Sequence, residues 1–239
     1  MTMQPAGTSE RPIGPLVDPT PAKRPERVTL AGRYVTLTPL SAEAHGDALF
    51  EGANGGAKDE VWDYLFDGPY DDRATFLANI EAKAKSEDPL FFAIVDNASG
   101  RPVGYQTFLR IEPTHRVIEV GNILYTPAMQ RTPGATEAQY LFARHVFDDL
   151  GYHRYEWKCN ALNAPSRRAA QRFGFTFEGV FRQHMIVKGR NRDTAWYSML
   201  DHEWPARRVA FEHWLAPGNF DAEGRQLVAL STLNGAPPP

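Results

Sequence analysis

One stretch, residues 119–175, limits the possible folds of this chain more than any other. A β-branched and apolar run over 117–125 predicts a strand, and Thr132-Pro133-Gly134 then caps and opens a helix, Pro being tolerated at the first helical position. Ala138, Leu141, Phe142, His145, Val146 and Leu150 recur at helical spacing, and Gly151 stops the helix. That stripe is core, with His145 a packed or boundary histidine. A second strand over 152–159 follows, then a short helix that ends at Phe173-Gly174-Phe175. The first amides of the helix opening at Pro133 lack intrahelical partners, and its dipole adds about half a positive charge, so an anion such as a pyrophosphate suits it.

The remainder surrounds that stretch with hairpins and helices. Residues 28–40 alternate and predict a first strand, Ser41 starts a helix, and 72–85 carries the apolar stripe of a second. Strands over 90–95 and 102–111, joined by the turn Asn97-Ala-Ser-Gly100, form an antiparallel meander with 117–125. Alternation puts Glu119 on the face of Val117 and Gly121, opposite Ile118 and Val120. A closing hairpin is expected over 177–188 and 194–200. The fold class is α/β in the α+β sense, a mixed and mostly antiparallel sheet of about seven strands flanked by helices.

Residues 1–27, rich in Pro and charge, form an arm with little core of its own. Past Trp204-Pro205, an amphipathic run over 207–215 and an apolar run over 226–233 precede a Pro tail, and both are expected to dock on the domain or on a second subunit, which allows a homodimer. Three parts follow: an arm over 1–27, a domain over 28–204 and an extension over 205–239.

A net charge of -3 argues against a nucleic-acid binder driven by bulk electrostatics. One cysteine admits no intramolecular disulfide and suits a reducing cytoplasm. No apolar run approaches the roughly 18–20 residues of a membrane span, and the N-terminus lacks an apolar signal core, so a cytoplasmic protein without membrane partners is expected. The seven histidines show no paired spacing for a metal.

Asn163-x-x-Ser166, the helix ending at Phe173-Gly174-Phe175, the following Glu178-Gly179, the strand residues Glu119-Val-Gly121 and the helix start Ala135-Thr-Glu-Ala138, five motifs in the right order along the chain, resemble the GNAT acyltransferases, in particular the RimJ/RimL-like branch. The resemblance covers residues 28–204. It implies a GNAT fold and direct transfer of an acetyl group from acetyl-CoA to a primary amine in a ternary complex. Acetyl-CoA is a cosubstrate, and no metal is needed. A non-catalytic acyl-CoA-binding module, a larger donor such as succinyl-CoA, and a protein N-terminus as acceptor stay open beside it.

The resemblance also implies site residues. Glu119 is the general base, an ammonium of pKa near ~10 having to lose its proton before attack. A competing reading makes Glu119 a solvent-facing residue paired with Arg116 or Arg110. The backbone around Leu124 and Tyr125 holds the pantetheine chain and stabilises the oxyanion. Ser166 assists the leaving thiolate and Asn163 binds pantetheine amides, unless they are merely a helix-start residue and a turn former. The family's phosphate loop, often Gln-Gly-Lys-Gly-Tyr-Ala in this branch, aligns with Gln130-Arg-Thr-Pro-Gly-Ala135, so Arg131 and Pro133 stand where glycines are expected. Proline removes an amide donor and Arg131 supplies a charge instead. Gln130, Arg131, Thr132, Gly134, Ala135 and Thr136 are thus the expected diphosphate site, joined by Arg168 from a region over 154–192 with nine basic residues against Glu156 and Glu178. Arg167 and Arg172 are alternatives to Arg168.

The segment over 51–72 holds seven acidic residues against Lys58. It reads either as a solvated loop with aromatics turned inward or, as in the family, as the acceptor wall, with Trp62, Tyr64, Asp67 and Tyr70 meeting a small cationic amine. Cys159 lies in an apolar-patterned strand with no Cys–His arrangement signalled, so covalent catalysis is not expected.

Overall fold

Leu90-Phe-Phe-Ala-Ile94 is apolar at every position, so the strand it forms has to be covered on both faces. The computed structural model, which describes residues 14–235, shows that cover. Its sheet comprises β1 (Leu30–Ala31), β2 (Val35–Pro39), β3 (Leu90–Asp96), β4 (Pro102–Glu112), β5 (Val117–Tyr125), β6 (Arg154–Asn160), β7 (Thr176–Val187) and β8 (Arg190–Leu200) in the order β1-β2-β3-β4-β5-β6-β8-β7. Every neighbouring pair is antiparallel except β5 and β6. The expected mixed sheet is present, with eight strands instead of about seven, because the first expected strand breaks at Gly32 into the hairpin β1–β2.

Strand alternation divides the apolar residues between two layers. Phe92, Ile94, Phe108, Ile118 and Val120 face α3 (Pro133–Arg144), where Phe108 and Phe142 stack at 3.9 Å between centroids. Phe91, Ala93, Tyr105 and Leu124 face α1 (Ala42–Ala53) and α2 (Arg73–Lys85), capped by the Ser41 and Asp72 side chains. Trp62, at the end of a 3-10 turn over Gly56–Trp62, completes this second layer.

The helix expected over 133–150 ends its regular turns at Arg144 and widens over His145–Asp149, where Leu150 N–H donates to the His145 carbonyl. His145 is buried there and its Nδ1 lies 2.7 Å from Asp149, so it is the packed histidine expected. After β6, α4 (Ala164–Arg172) returns the chain to β7. The C-terminal run forms α5 (Trp204–Leu215) and the one-turn α6 (Leu230–Leu233), and both dock on the domain: Phe211 stacks on Phe173, Trp204 on Phe147, and Leu230 joins the same core. Residues 14–27 of the arm drape over the surface without regular structure, tied by Ala22 N–H to Pro113 and Lys23 N–H to Leu150. Residues 1–13 of that arm and 236–239 of the tail lie outside the described residues.

Glu137, in the motif that opens α3, serves the fold. Its carboxylate accepts the N–H groups of Arg33, Tyr34 and Val35 at 2.8, 2.6 and 2.9 Å and so anchors the β1–β2 turn. A Cβ at Gly32 would come within 2.5 Å of that carboxylate, which explains the glycine. Glu137→Ala leaves these amides without their acceptor and is expected to lower stability by about 3 kcal/mol. Urea unfolding measures it, and an unchanged midpoint would show the clamp to be dispensable.

Candidate active site

The parallel pair β5–β6 is in register from Val117↔Arg154 to Val120↔Trp157 and then stops, although β5 runs on to Tyr125 and β6 to Asn160. The reason lies on the other edge of β5. Its register with β4 shifts between Tyr105 and Thr107, and Asn122 adopts a left-handed φ of 46°. Such a bulge bends the strand, and β5 parts from β6. Peptide groups on the parted edges have no strand partner and need another. Between them opens a cleft of about 1500 Å³, bounded by the starts of α3 and α4, the β7–β8 hairpin and the 3-10 turn before Asp63.

Glu119 sits at the root of this cleft, only 5% exposed. Its Oε2 receives Lys158 Nζ at 2.9 Å and Arg110 Nε at 3.2 Å. Arg110 reaches it through its own left-handed φ of 48° at a second register shift. Arg116, the other partner considered, donates to the Gly151 carbonyl instead. Lys158 is also bound to Glu156 at 2.6 Å, Glu156 to Arg154 at 2.7 Å, and Arg154 to Glu178 at 2.5 Å, so a line of alternating charges crosses β4, β5, β6 and β7. Burial pushes the Glu119 pKa up, and Lys158 and Arg110 oppose that rise. Glu119 Oε1 has no partner among the described residues and lies on the Gly121 side, where the strands part.

At the α3 end, Thr132 caps the helix, its Oγ1 accepting Ala135 N–H at 3.2 Å and donating to the Met129 carbonyl. Since Pro133 has no N–H and the Ala135 amide is capped, Gly134 N–H is the free one of the first three helical positions. Gly134 itself packs on β2, a Cβ there falling 2.8 Å from Val35, and is not among the residues lining the cleft. Gln130 donates to the Tyr125 carbonyl, and Arg131, at φ 62°, lines the cleft. Arg172 adds a cation beside this loop. It donates to Thr136 Oγ1 at 3.0 Å, lies over Trp214, and has no carboxylate among the described residues, so burial pushes its pKa down to about 10.

Residues 35–176 match the family model described as "Acetyltransferase (GNAT) domain". A crystal structure of a GCN5-related N-acetyltransferase from Brucella melitensis is 53% identical over 90% of this chain and 98% of that one, with a TM-score of 0.89. The chain belongs to the GNAT acetyltransferases. A Chromobacterium violaceum ATCC 12472 protein assigned to the same family is 38% identical over 83% of this chain and all of that one, TM-score 0.76. The fold extends to the microcin C7 self-immunity acetyltransferase MccE, solved with acetyl-CoA and AMP, at 20% identity over 71% of this chain and 93% of that one, TM-score 0.62. No protein of curated function matches the sequence significantly. The protein is thus a GNAT-family N-acetyltransferase.

This acetyltransferase brings most of the expected residues into the cleft: Glu119, Tyr125, Gln130, Arg131, Thr132, Ala135, Thr136, Asn163, Ser166 and Arg168 line it. Leu124 contributes backbone alone, its side chain being in the second core layer. The Tyr125 hydroxyl is tied between Gln106 and Gln139, and burial raises its pKa. Asn163 Oδ1 accepts Ser166 N–H at 3.0 Å and so caps α4, a local structural role it fills whatever else it binds, while Ser166 stands in the first turn of that helix. Ser166 Oγ accepts Trp157 Nε1 at 3.0 Å, leaving its own proton to donate. Arg168 is exposed and without a hydrogen bond, and Arg167 turns away to Tyr197.

The acceptor wall needs correction. Trp62 is fully buried with its indole N–H on the Ala53 carbonyl, while Asp67 is taken by Lys83 and by the Tyr70 hydroxyl. Those three face the second core layer, so of the four residues expected there Tyr64 alone lines the cleft, with Val61 and Phe66. Burial also pushes the Cys159 thiol up, which disfavours a thiolate nucleophile.

Lys158, the cation that holds Glu119, is the cleft residue that residue pattern missed, being one of nine basic residues in its region. Burial raises the Glu119 pKa, and Lys158 opposes that rise and so favours the carboxylate form. Lys158→Met removes the cation, and the acid limb of the pH–rate profile is expected to move up by about one to three units. The variant also leaves two carboxylates buried, at a cost of about 3–5 kcal/mol in stability. An unmoved limb in folded variant would separate Lys158 from the chemistry.

Proposed function

We propose that this enzyme transfers the acetyl group of acetyl-CoA directly to a primary amine in a ternary complex, in the manner of the RimJ/RimL-like branch, with Glu119 as the general base. The observation that carries this reading is a buried carboxylate with one unpartnered oxygen at the point where β5 and β6 part.

The residues present suit acetyl-CoA. Parted strand edges offer peptide groups to an extended amide-bearing chain, and the desolvated Arg172, with Arg131, offers positive charge to a diphosphate. Acetyl-CoA supplies the acyl group and a thiolate leaving group. Glu119 Oε1 takes up the amine proton, directly or through a water, while Lys158 and Arg110 hold Oε2 and fix the carboxylate plane. The Ser166 hydroxyl, oriented by Trp157, donates to the departing sulfur. Its contribution is small, since a thiol of pKa near ~8.5 leaves readily.

The acceptor is a small amine that enters beside Tyr64 and Phe66. The acidic excess of residues 51–72 has little part in receiving it, because Asp67 is neutralised by Lys83 and only the exposed Glu60 and Asp63 reach the cleft rim.

Thiol release from acetyl-CoA over a panel of primary amines tests the reading, with succinyl-CoA as the competing donor. Glu119→Gln is expected to lower kcat by about 10²–10⁴-fold at unchanged acetyl-CoA affinity. Ser166→Ala lowers it by less than about tenfold, and Arg172→Ala weakens acetyl-CoA binding by about 10- to 100-fold. Equal rates in wild type and Glu119→Gln would remove Glu119 from the base role. Binding of acetyl-CoA without turnover on any amine would leave a binding module.

A further inference from the structure

Arg192, near the start of β8 and opposite Met185 of β7, is buried to 8% exposure yet takes no ion pair and no hydrogen bond from any described residue. Its Nε is buried without a partner, and its guanidinium carbon lies 5.3 Å from the Phe66 ring centroid. An aromatic face offsets only part of the cost of burying a cation, about 2 kcal/mol when desolvated. The other buried cations near Glu119 are satisfied by carboxylates: Lys158 by Glu119 and Glu156, Arg154 by Glu156 and Glu178.

Arg192 lines the same cleft as Glu119, Arg110 and Lys158, and of the three cations at this end Arg110 and Lys158 are paired with Glu119, Lys158 with Glu156 as well, which leaves Arg192 without a carboxylate among the described residues. The field is felt by His184, which shares the wall: burial together with Arg110, Arg192 and Lys158 pushes its pKa down. The acidic residues on the facing wall, Glu60 and Asp63, are exposed at the rim and bond neither Arg192 nor Arg110. A carboxylate or phosphate entering with the amine would find in Arg192 a desolvated planar fork with its donors unspent, the setting in which a charge-assisted pair is strongest.

We infer that Arg192 receives an anionic group carried by the acceptor, so that the enzyme acetylates primary amines bearing a carboxylate or phosphate near the attacking nitrogen. This rests on the acceptor entering beside Glu119, as proposed above. The amine is then zwitterionic: its ammonium end meets Glu119 and its anionic end meets Arg192, with Phe66 covering the guanidinium.

Acceptors paired to differ only in the anion test it: β-alanine against β-alaninamide, L-methionine against L-methioninamide, and O-phosphoethanolamine against ethanolamine, each with acetyl-CoA. In at least one pair the anionic member should have the higher kcat/KM by about 10- to 100-fold, and the pair that responds tells carboxylate from phosphate. In Arg192→Met that preference should collapse toward one through acceptor KM, with acetyl-CoA KM unmoved, and Arg192→Lys should restore part of it. Equal use of both members in every pair overturns the inference, as does a fall in kcat of the same size for charged and neutral acceptors. Should no amine be turned over, the transfer reading fails separately, and calorimetric titration of the CoA-loaded protein with the same pairs decides the site. Binding of an anionic member that Arg192→Met abolishes supports it, and no such binding overturns it.

Discussion

Two parallel strands that stop pairing while both still run on create a polar problem inside a folded chain. The amides and carbonyls of β5 beyond Val120 and of β6 beyond Trp157 cannot satisfy each other, and a buried unpaired peptide group is costly. The bulge at Asn122 keeps the strands apart, and the helices that begin beyond them, α3 and α4, start at the mouth of the resulting gap. Everything with a chemical use in this acetyltransferase is arranged around that gap.

The charges follow from the same opening. Glu119 and Glu156 lie side by side across the paired part of β5 and β6, and two buried carboxylates in register would repel. Lys158, two residues further along β6, bridges them and lies 3.9 Å from the Trp196 ring. Glu119 is left with one oxygen held by Lys158 and Arg110 and the other without a partner among the described residues. Among the described residues two arginines of the cleft have no carboxylate partner, the partly buried Arg172 by the α3 start and the buried Arg192 by the β7–β8 hairpin.

The layered architecture was largely legible in the residues, because apolar periodicity reports burial directly: the unbroken run in β3 demanded cover on both faces, and caps at Ser41, Asp72 and Thr132 stand where hydroxyl and carboxylate side chains precede apolar stripes. That Glu119 and Ser166 line one cleft was legible through motif order. The acceptor wall was not. Trp62, Asp67 and Tyr70 occur in a loop-like acidic segment, and nothing local says that a lysine from α2, Lys83, will take Asp67 and draw the three inward. Arg168 and Arg172 are one helical turn apart on α4, so spacing cannot rank them. Trp214 of the C-terminal extension does, by covering Arg172.

Residue order alone therefore settles which segments are strands or helices, which stripes are buried and which neighbouring strands form hairpins, since these depend on residues a few positions away or on short turns. It also places a carboxylate on the central strand. Which cations hold that carboxylate, which arginines are left without a counter-charge, and which aromatics reach the cleft depend on residues tens of positions apart meeting across parted strands. Coulomb energy and desolvation are set by those distances, and no local pattern encodes them.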